Sequence, residues 1–242
     1  MECFYKLLLI FFFYSFLGWF IECFCKLIEL RRFVNRGFLT GPICPIYGVG
    51  GVLILVSLSK YQNDPVILYF MSIIIAACLE YFTSYIMEKI FKNRWWDYSN
   101  WKYNINGRIC LETMIPFGFL SLLMIYVTNP LLLNLLSLFN YNILRITALS
   151  LLLLTIIDII ISFNIIITLE NVSNSLRSDS TEVITKKVRK ILHEKTIFHR
   201  RLIESFPNMQ IFNKAAILKN KLKKDKYRLK QQKIKAKNKR KN

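Results

Sequence analysis

The sequence holds only two histidines, His193 and His199, and both follow the last long apolar run. A histidine-ligated metal site within the apolar part is therefore excluded. No Cys-x-x-Cys pair occurs, and Cys3, Cys23, Cys25, Cys44, Cys78 and Cys110 form no regular framework. They read as small apolar packing residues rather than as metal ligands. There is no Gly-x-x-x-x-Gly-Lys-Ser/Thr loop, so any ATP-driven process would need a partner. No nucleophile–base pair is recognisable, and the residues point to no catalytic group and no cofactor. Acidic residues are scarce too: 15 Asp and Glu stand against 34 Lys and Arg, a formal net charge of +19.

What the chain does have is apolar sequence. Hydrophobic residues make up 54% of it and the mean hydropathy is positive, a combination with high charge that soluble domains rarely show. The charge is segregated, since the apolar runs end near Leu169 and most Lys and Arg lie beyond it. Crossing a hydrocarbon core takes roughly 17–25 apolar residues. Five stretches qualify: Phe4–Ile28, Ile43–Ser59, Val66–Met87, Ile109–Val127 and Ile143–Leu169. Leu131–Phe139 is too short to cross and reads as an interfacial segment. Glu2 and the lack of a small-residue cleavage site argue against a cleaved signal peptide.

Loops rich in Lys and Arg stay in the cytoplasm. Arg31, Arg32 and Arg36 fall between the first two stretches; Lys89, Lys92, Arg94, Lys102 and Arg108 fall between the third and fourth. Lys6, Lys60 and Arg145 sit at span ends on the opposite side. The expectation is an all-α polytopic membrane bundle of about five helices, N-terminus out and C-terminus in. It divides into a membrane domain over 1–170, an amphipathic cytoplasmic helix over 171–212 and a lysine-rich, disordered end over 213–242.

Within the spans lie acids, each expensive at membrane depth: about 2.5–3.5 kcal/mol at a helix centre on insertion scales. Glu22, Glu80, Glu112 and Asp158 all fall in the cytoplasmic half, and their otherwise uncharged spans predict that they face the bundle interior. Two readings are open. They tie helices together by pairing with basic residues such as Lys26, Arg36, Arg94 or Arg108, or they belong to a solute or ion site.

Two cytoplasmic loops carry the rest. Val34 to Gly48, with Gly50 and Gly51 following, contains Pro42, Pro45 and several glycines, which no smooth helix accommodates. Non-helical backbone at membrane depth survives only against protein or a watery cavity. The segment is thus a candidate cavity wall, with Asn35, Arg36 and Tyr47 as candidate polar groups; a tight turn with small packing residues is the plainer alternative. The second loop reads Arg94-Trp95-Trp96-Asp97-Tyr98-Ser99 and then Asn104-Ile105-Asn106-Gly107-Arg108. An interfacial aromatic belt accounts for its tryptophans. Asp97, Asn106 and Arg108 beside Arg94 instead suggest a polar site or a hydrogen-bonded lock, with Glu22 or Asp97 as counter-ion.

Ser15-Phe16-Leu17-Gly18-Trp19 with Glu22, the Val34–Gly48 segment, Arg94–Ser99 and Asn106–Leu111 occur in one order that resembles the bacterial membrane family labelled ABC-transporter type IV, the CmpB-like permeases. The resemblance covers roughly 5–130. It implies a transport permease in the bacterial cytoplasmic membrane, working with a separate ATPase, and names no substrate.

In the tail, Ile184, Val188, Ile191, Leu192, Phe198, Leu202 and Phe206 recur at helical spacing after Asp179-Ser180-Thr181-Glu182, with a basic opposite face. Such a helix suits the anionic inner leaflet, where each basic group is worth about 1 kcal/mol. Nucleic acid is disfavoured as a partner, because Tyr227 is the only aromatic after Asn213. Three functions remain: a permease subunit, small enough at five spans to suggest a homo-oligomer; a membrane enzyme acting on lipid headgroups through Glu22, Arg36, Asp97 and Arg108; and a scaffold acting through its tail.

Overall fold

A computed structural model of the chain describes residues 2–91, 93–175, 201 and 210–211. Helix α1 covers Glu2–Leu30 and ends where Arg31 takes a left-handed φ of 51°. Helix α2, Pro45–Leu58, is extended by the short turn Ser59–Tyr61. Helix α3, Pro65–Phe91, starts with proline in its first turn, while the Asp64 carboxylate accepts the Val66 and Ile67 N–H groups, both at 3.0 Å. Proline's missing donor costs nothing there, and the aspartate satisfies two of the orphan donors. Helix α4 is Leu111–Leu123, α5 is Asn129–Ser137 and α6 is Tyr141–Ser175, the last begun by Asn140 accepting the Ile143 N–H at 3.0 Å.

Among the described residues, four helical stretches are long and apolar enough to cross a membrane: Glu2–Leu30, Pro65–Phe91, Leu111–Ser137 and Tyr141–Ile167. The fourth expected span needs correcting. Leu131–Phe139 is not a separate interfacial segment, because helix continues from Leu111 through Ser137. A π turn at Met124–Thr128, closed by the Asn129 N–H on the Met124 carbonyl, widens the helix just before Pro130. That extra room lets the helix pass a residue that would ordinarily break it.

Helix α2 with its terminal turn, Pro45–Tyr61, is shorter than the others. Its missing length is supplied by the segment before it. The Cys44 N–H bonds the Ser15 carbonyl at 2.9 Å, so α2 begins beside the middle of α1. From the end of α1 at Leu30 back to the level of Ser15 is roughly 22 Å of helix axis at 1.5 Å per residue. Residues 31–44 cover that distance without regular structure, in keeping with Gly37, Gly41 and Pro42. Close approach of α1 and α2 is set by two glycines. A Cβ on Gly48 would collide with the Ser15 hydroxyl and the Phe11 carbonyl, and one on Gly18 with the Tyr47 ring.

One end of the bundle is closed by Ile10, Tyr14, Leu58, Leu68, Leu132, Leu136 and Leu144, which share a buried cluster. This joins the first half of α1 to the end of α2, the start of α3, the end of α5 and the start of α6. The other end carries the 31–44 segment and the loop after α3. There, β2 (Asn104–Ile105) and β3 (Ile109–Cys110) form a hairpin whose Asn106 and Gly107 have φ of 54° and 67°. Positive φ at both central residues makes Asn-Gly the natural turn sequence. Strand β1 (Asn93–Arg94) pairs antiparallel with β4 (Gln210–Ile211). Helix α6 runs on through 171–175; β4 and Arg201 apart, the rest of the cytoplasmic helix expected over 171–212 and the lysine-rich end lie outside the described residues.

Gln62→Cys and Asn140→Cys, at the end of the bundle that has little basic sequence, are expected to react with a membrane-impermeant thiol reagent in intact cells. Asn238→Cys is expected to react only after permeabilisation, each site being read by peptide mapping. A protected Gln62 position, or a labelled Asn238 position, would reverse the arrangement.

Candidate functional site

The non-helical segment 31–44 lies deep against α1, so its backbone groups need partners other than bulk water. Asn35 supplies several. Its Oδ1 accepts the Gly37 N–H at 3.0 Å and the Trp19 indole N–H at 2.7 Å, and its Nδ2 donates to the Thr40 carbonyl at 3.1 Å. Asp158 of α6 accepts the Thr40 N–H at 2.9 Å, the Gly41 N–H at 2.8 Å and the Thr40 hydroxyl. From the tail, Arg201 donates to the carbonyls of Leu39 at 2.6 Å, Phe38 at 3.3 Å and Gly37 at 3.4 Å. Burial lowers the Arg201 pKa from its ordinary value, and the Asp158 charge opposes that shift. A carboxylate thus collects the segment's donors and a guanidinium its acceptors.

Beside this segment, Glu22 of α1 accepts the Tyr47 hydroxyl at 2.8 Å and pairs with Arg36 Nε at 3.6 Å. The Arg36 N–H also points at the buried Cys23 sulfur, 3.5 Å away. Glu22, Asn35, Arg36 and Tyr47 therefore gather where the segment meets α1 and α2.

The second loop gathers around a residue that sequence reasoning missed. Glu88 Oε2, near the end of α3, lies 3.0 Å from Arg94 Nε and 3.1 Å from Arg108 Nη2. Arg108 is buried, donates to Ser84 Oγ at 3.2 Å and stands over the Tyr81 and Tyr85 rings, 5.7 and 5.4 Å from their centroids. The spacing carried a signal: Ser84 and Glu88 are four apart and share a helix face. Arg94 also pairs with Asp97 at 3.5 Å, and Asp97 holds the Ser99 N–H and hydroxyl at 3.0 and 2.5 Å. Burial works to raise the Asp97 pKa, but these donors and Arg94 outweigh it and hold the carboxyl below its ordinary value. Asn106 bonds the Tyr81 hydroxyl at 3.0 Å, and the Trp96 indole donates to the Arg108 carbonyl at 3.0 Å.

The two loops touch through aromatic rings. Phe38 lies 5.2 Å from Trp95 and 5.7 Å from Phe91, centroid to centroid. Trp95 is buried, so it anchors the loops together instead of joining an interfacial belt. Glu80 of α3 accepts the Tyr98 hydroxyl at 3.4 Å. Burial, followed by the Glu80 charge, raises the Tyr98 pKa. Glu112 does not face the interior: it is exposed in the first turn of α4, where the helix dipole favours an acid.

Glu88→Gln leaves two neighbouring guanidinium groups without their shared charge. It is expected to lower stability by about 2 kcal/mol, the scale of a charged hydrogen bond, read from thermal unfolding in detergent. Glu112→Gln should change it by less than about 0.5 kcal/mol, as for exposed sites generally.

No curated protein and no solved structure matches the chain. A family profile does, over residues 9–163, which takes in every helix from α1 to most of α6 and extends beyond the motifs near the N-terminal half. With well over half its length matched, the chain belongs to the family described as "Putative ABC-transporter type IV".

Proposed function

We propose that this chain is the membrane-spanning permease component of a bacterial transporter, and that the 31–44 segment forms the wall of a polar site open to the cytoplasm. The observation that carries this reading is the descent of that segment to the level of Ser15, halfway along α1. Interrupted backbone of this kind lines solute sites in transporters, where free peptide dipoles and small residues meet the cargo. Arg36, Asn35, Tyr47 and Glu22 supply the polar groups on one side, and Arg94, Asp97, Asn106 and Arg108 on the other. Arginines near the site suit an anionic group, since a guanidinium binds carboxylate or phosphate through paired donors.

One observation favours a structural role for half of this set. Arg94 and Arg108 share Glu88 and are packed on tyrosines, which makes them a lock at the rim, with Arg36 the residue that meets cargo. The chain has no nucleotide-binding loop, so a separate ATPase docks on the same cytoplasmic end. Association of several copies around the small bundle, and attraction of the basic tail to anionic lipid, complete the assembly.

Purified from native membranes in mild detergent, the full chain should carry an ATP-hydrolysing subunit with it. Arg36→Ala should then lower solute-stimulated ATP hydrolysis at least about tenfold, the effect of one charged contact, measured at a temperature where the variant, which loses the Glu22 ion pair, is still folded. A loss below twofold would remove Arg36 from the site. Isolation of the chain without any ATPase, across several detergents and cross-linkers, would remove the ATP-driven reading.

A further inference from the structure

Three acids penetrate the interior of the bundle, and the structure treats them differently. Asp158 accepts two N–H groups and a hydroxyl from the 31–44 segment, with the Ser162 hydroxyl at 3.4 Å and the Arg201 charge acting on it. Glu22 has Arg36 and the Tyr47 hydroxyl. Both carboxylates have the donors and the positive charge that an anion needs away from water.

Glu80 has neither. Its Oε1 receives one long hydrogen bond from Tyr98, 3.4 Å, and its Oε2 is buried with no hydrogen-bond partner. Among the described residues no Lys or Arg pairs with it. The titratable groups that act on it are neutral or acidic: Tyr98 from the loop after α3, Glu22 from α1 and Tyr47 from α2. An ionised carboxylate left bare in such surroundings costs far more than a protonated one, and a second acid nearby adds repulsion. A neutral carboxyl solves both problems, because the O–H occupies the orphaned oxygen and removes the charge.

We propose that Glu80 is a proton-binding site of the membrane domain, taking its proton from the cytoplasmic end and exchanging it as the Tyr98 loop moves. In the step, a hydronium ion gives its proton to the carboxylate and leaves as water; no other bond changes. Glu22 has in Arg36 the counter-charge that Glu80 lacks among the described residues. Tyr98 couples the site to the loop that also carries Arg94, Asp97 and Arg108, and movement of that loop removes the one donor that favours the ionised form. This inference concerns the chain's own protonation and does not depend on the transporter reading.

A lipophilic carbodiimide reacts with protonated carboxyl groups in apolar surroundings and provides the test. The full chain in liposomes is treated near neutral pH and the adducts are mapped by peptide mass spectrometry. Glu80 is expected to carry at least about tenfold more adduct, one decade in reactive fraction, than Glu22 or Asp158, whose oxygens are held by Arg36, Tyr47 and the donors of the 31–44 segment. The Glu80 adduct should fall as the pH is raised, and Tyr98→Phe should increase it at a given high pH. Adduct on Glu22 or Asp158 in preference to Glu80, in folded protein, overturns the assignment. Protection of Glu80 by sodium against choline at constant pH and ionic strength also overturns it, because the site then binds a metal cation in place of the proton.

Discussion

Peptide groups in hydrocarbon must bond to something, and no water is at hand. Helices α1, α3 and α6 meet this demand internally. Residues 31–44 cannot, because Pro42 and the glycines deny them a helix, yet they descend to the middle of α1. Much of the polar chemistry in this bundle answers that one demand. Asn35 folds the segment on itself, Asp158 takes donors, Arg201 gives to acceptors, and Ser15 lends a carbonyl that already serves α1. Gly18 and Gly48 exist at their positions because α2 must start so close to α1 that a single added carbon would not fit.

The same demand sorts the intramembrane acids. Asp158 is committed to backbone donors and is part of the scaffold that holds the segment in place. Glu22 stands where the segment, α1 and α2 converge, neutralised by Arg36 and bonded by Tyr47. Glu80 faces the opposite loop with a single tyrosine donor. Three interior carboxyl groups therefore differ in what they can do, and their different partners account for much of that.

Contact between the two loops is made by apolar rings, not by the charges that flank them. Phe38 against Trp95 and Phe91 buries aromatic area at low conformational cost and leaves the arginines to be satisfied locally. Arg36 goes to Glu22, and Arg94 and Arg108 to Glu88. Strand β4 and Arg201 attach the tail to this same end, so the described part of the tail belongs to the loop assembly.

The apolar runs and the Lys/Arg asymmetry determined by themselves a helical membrane protein with its charged loops at one end, because hydrocarbon length and interfacial charge are properties of local sequence. Asn106-Gly107 specified its turn for a similar reason: both residues tolerate positive φ, and a tight hairpin requires it. Prolines and glycines likewise marked 34–48 as irregular, although from Pro45 on the chain is helix. Partner choice was not legible. Apart from its spacing to Ser84, nothing near Glu88 in the chain distinguishes it from an ordinary interfacial acid beside Lys89; its two arginines arrive from six and twenty residues later, through a hairpin whose position depends on α3 and α4 together. Leu131–Phe139 looked like a separate segment until the helix proved to run through Pro130 past a π turn, and Trp95 looked interfacial until Phe38 came from another loop to cover it. Only the tertiary structure decided which acid met which base, because ion pairs and ring contacts join residues distant in sequence, whereas hydropathy and turn preference act between neighbours.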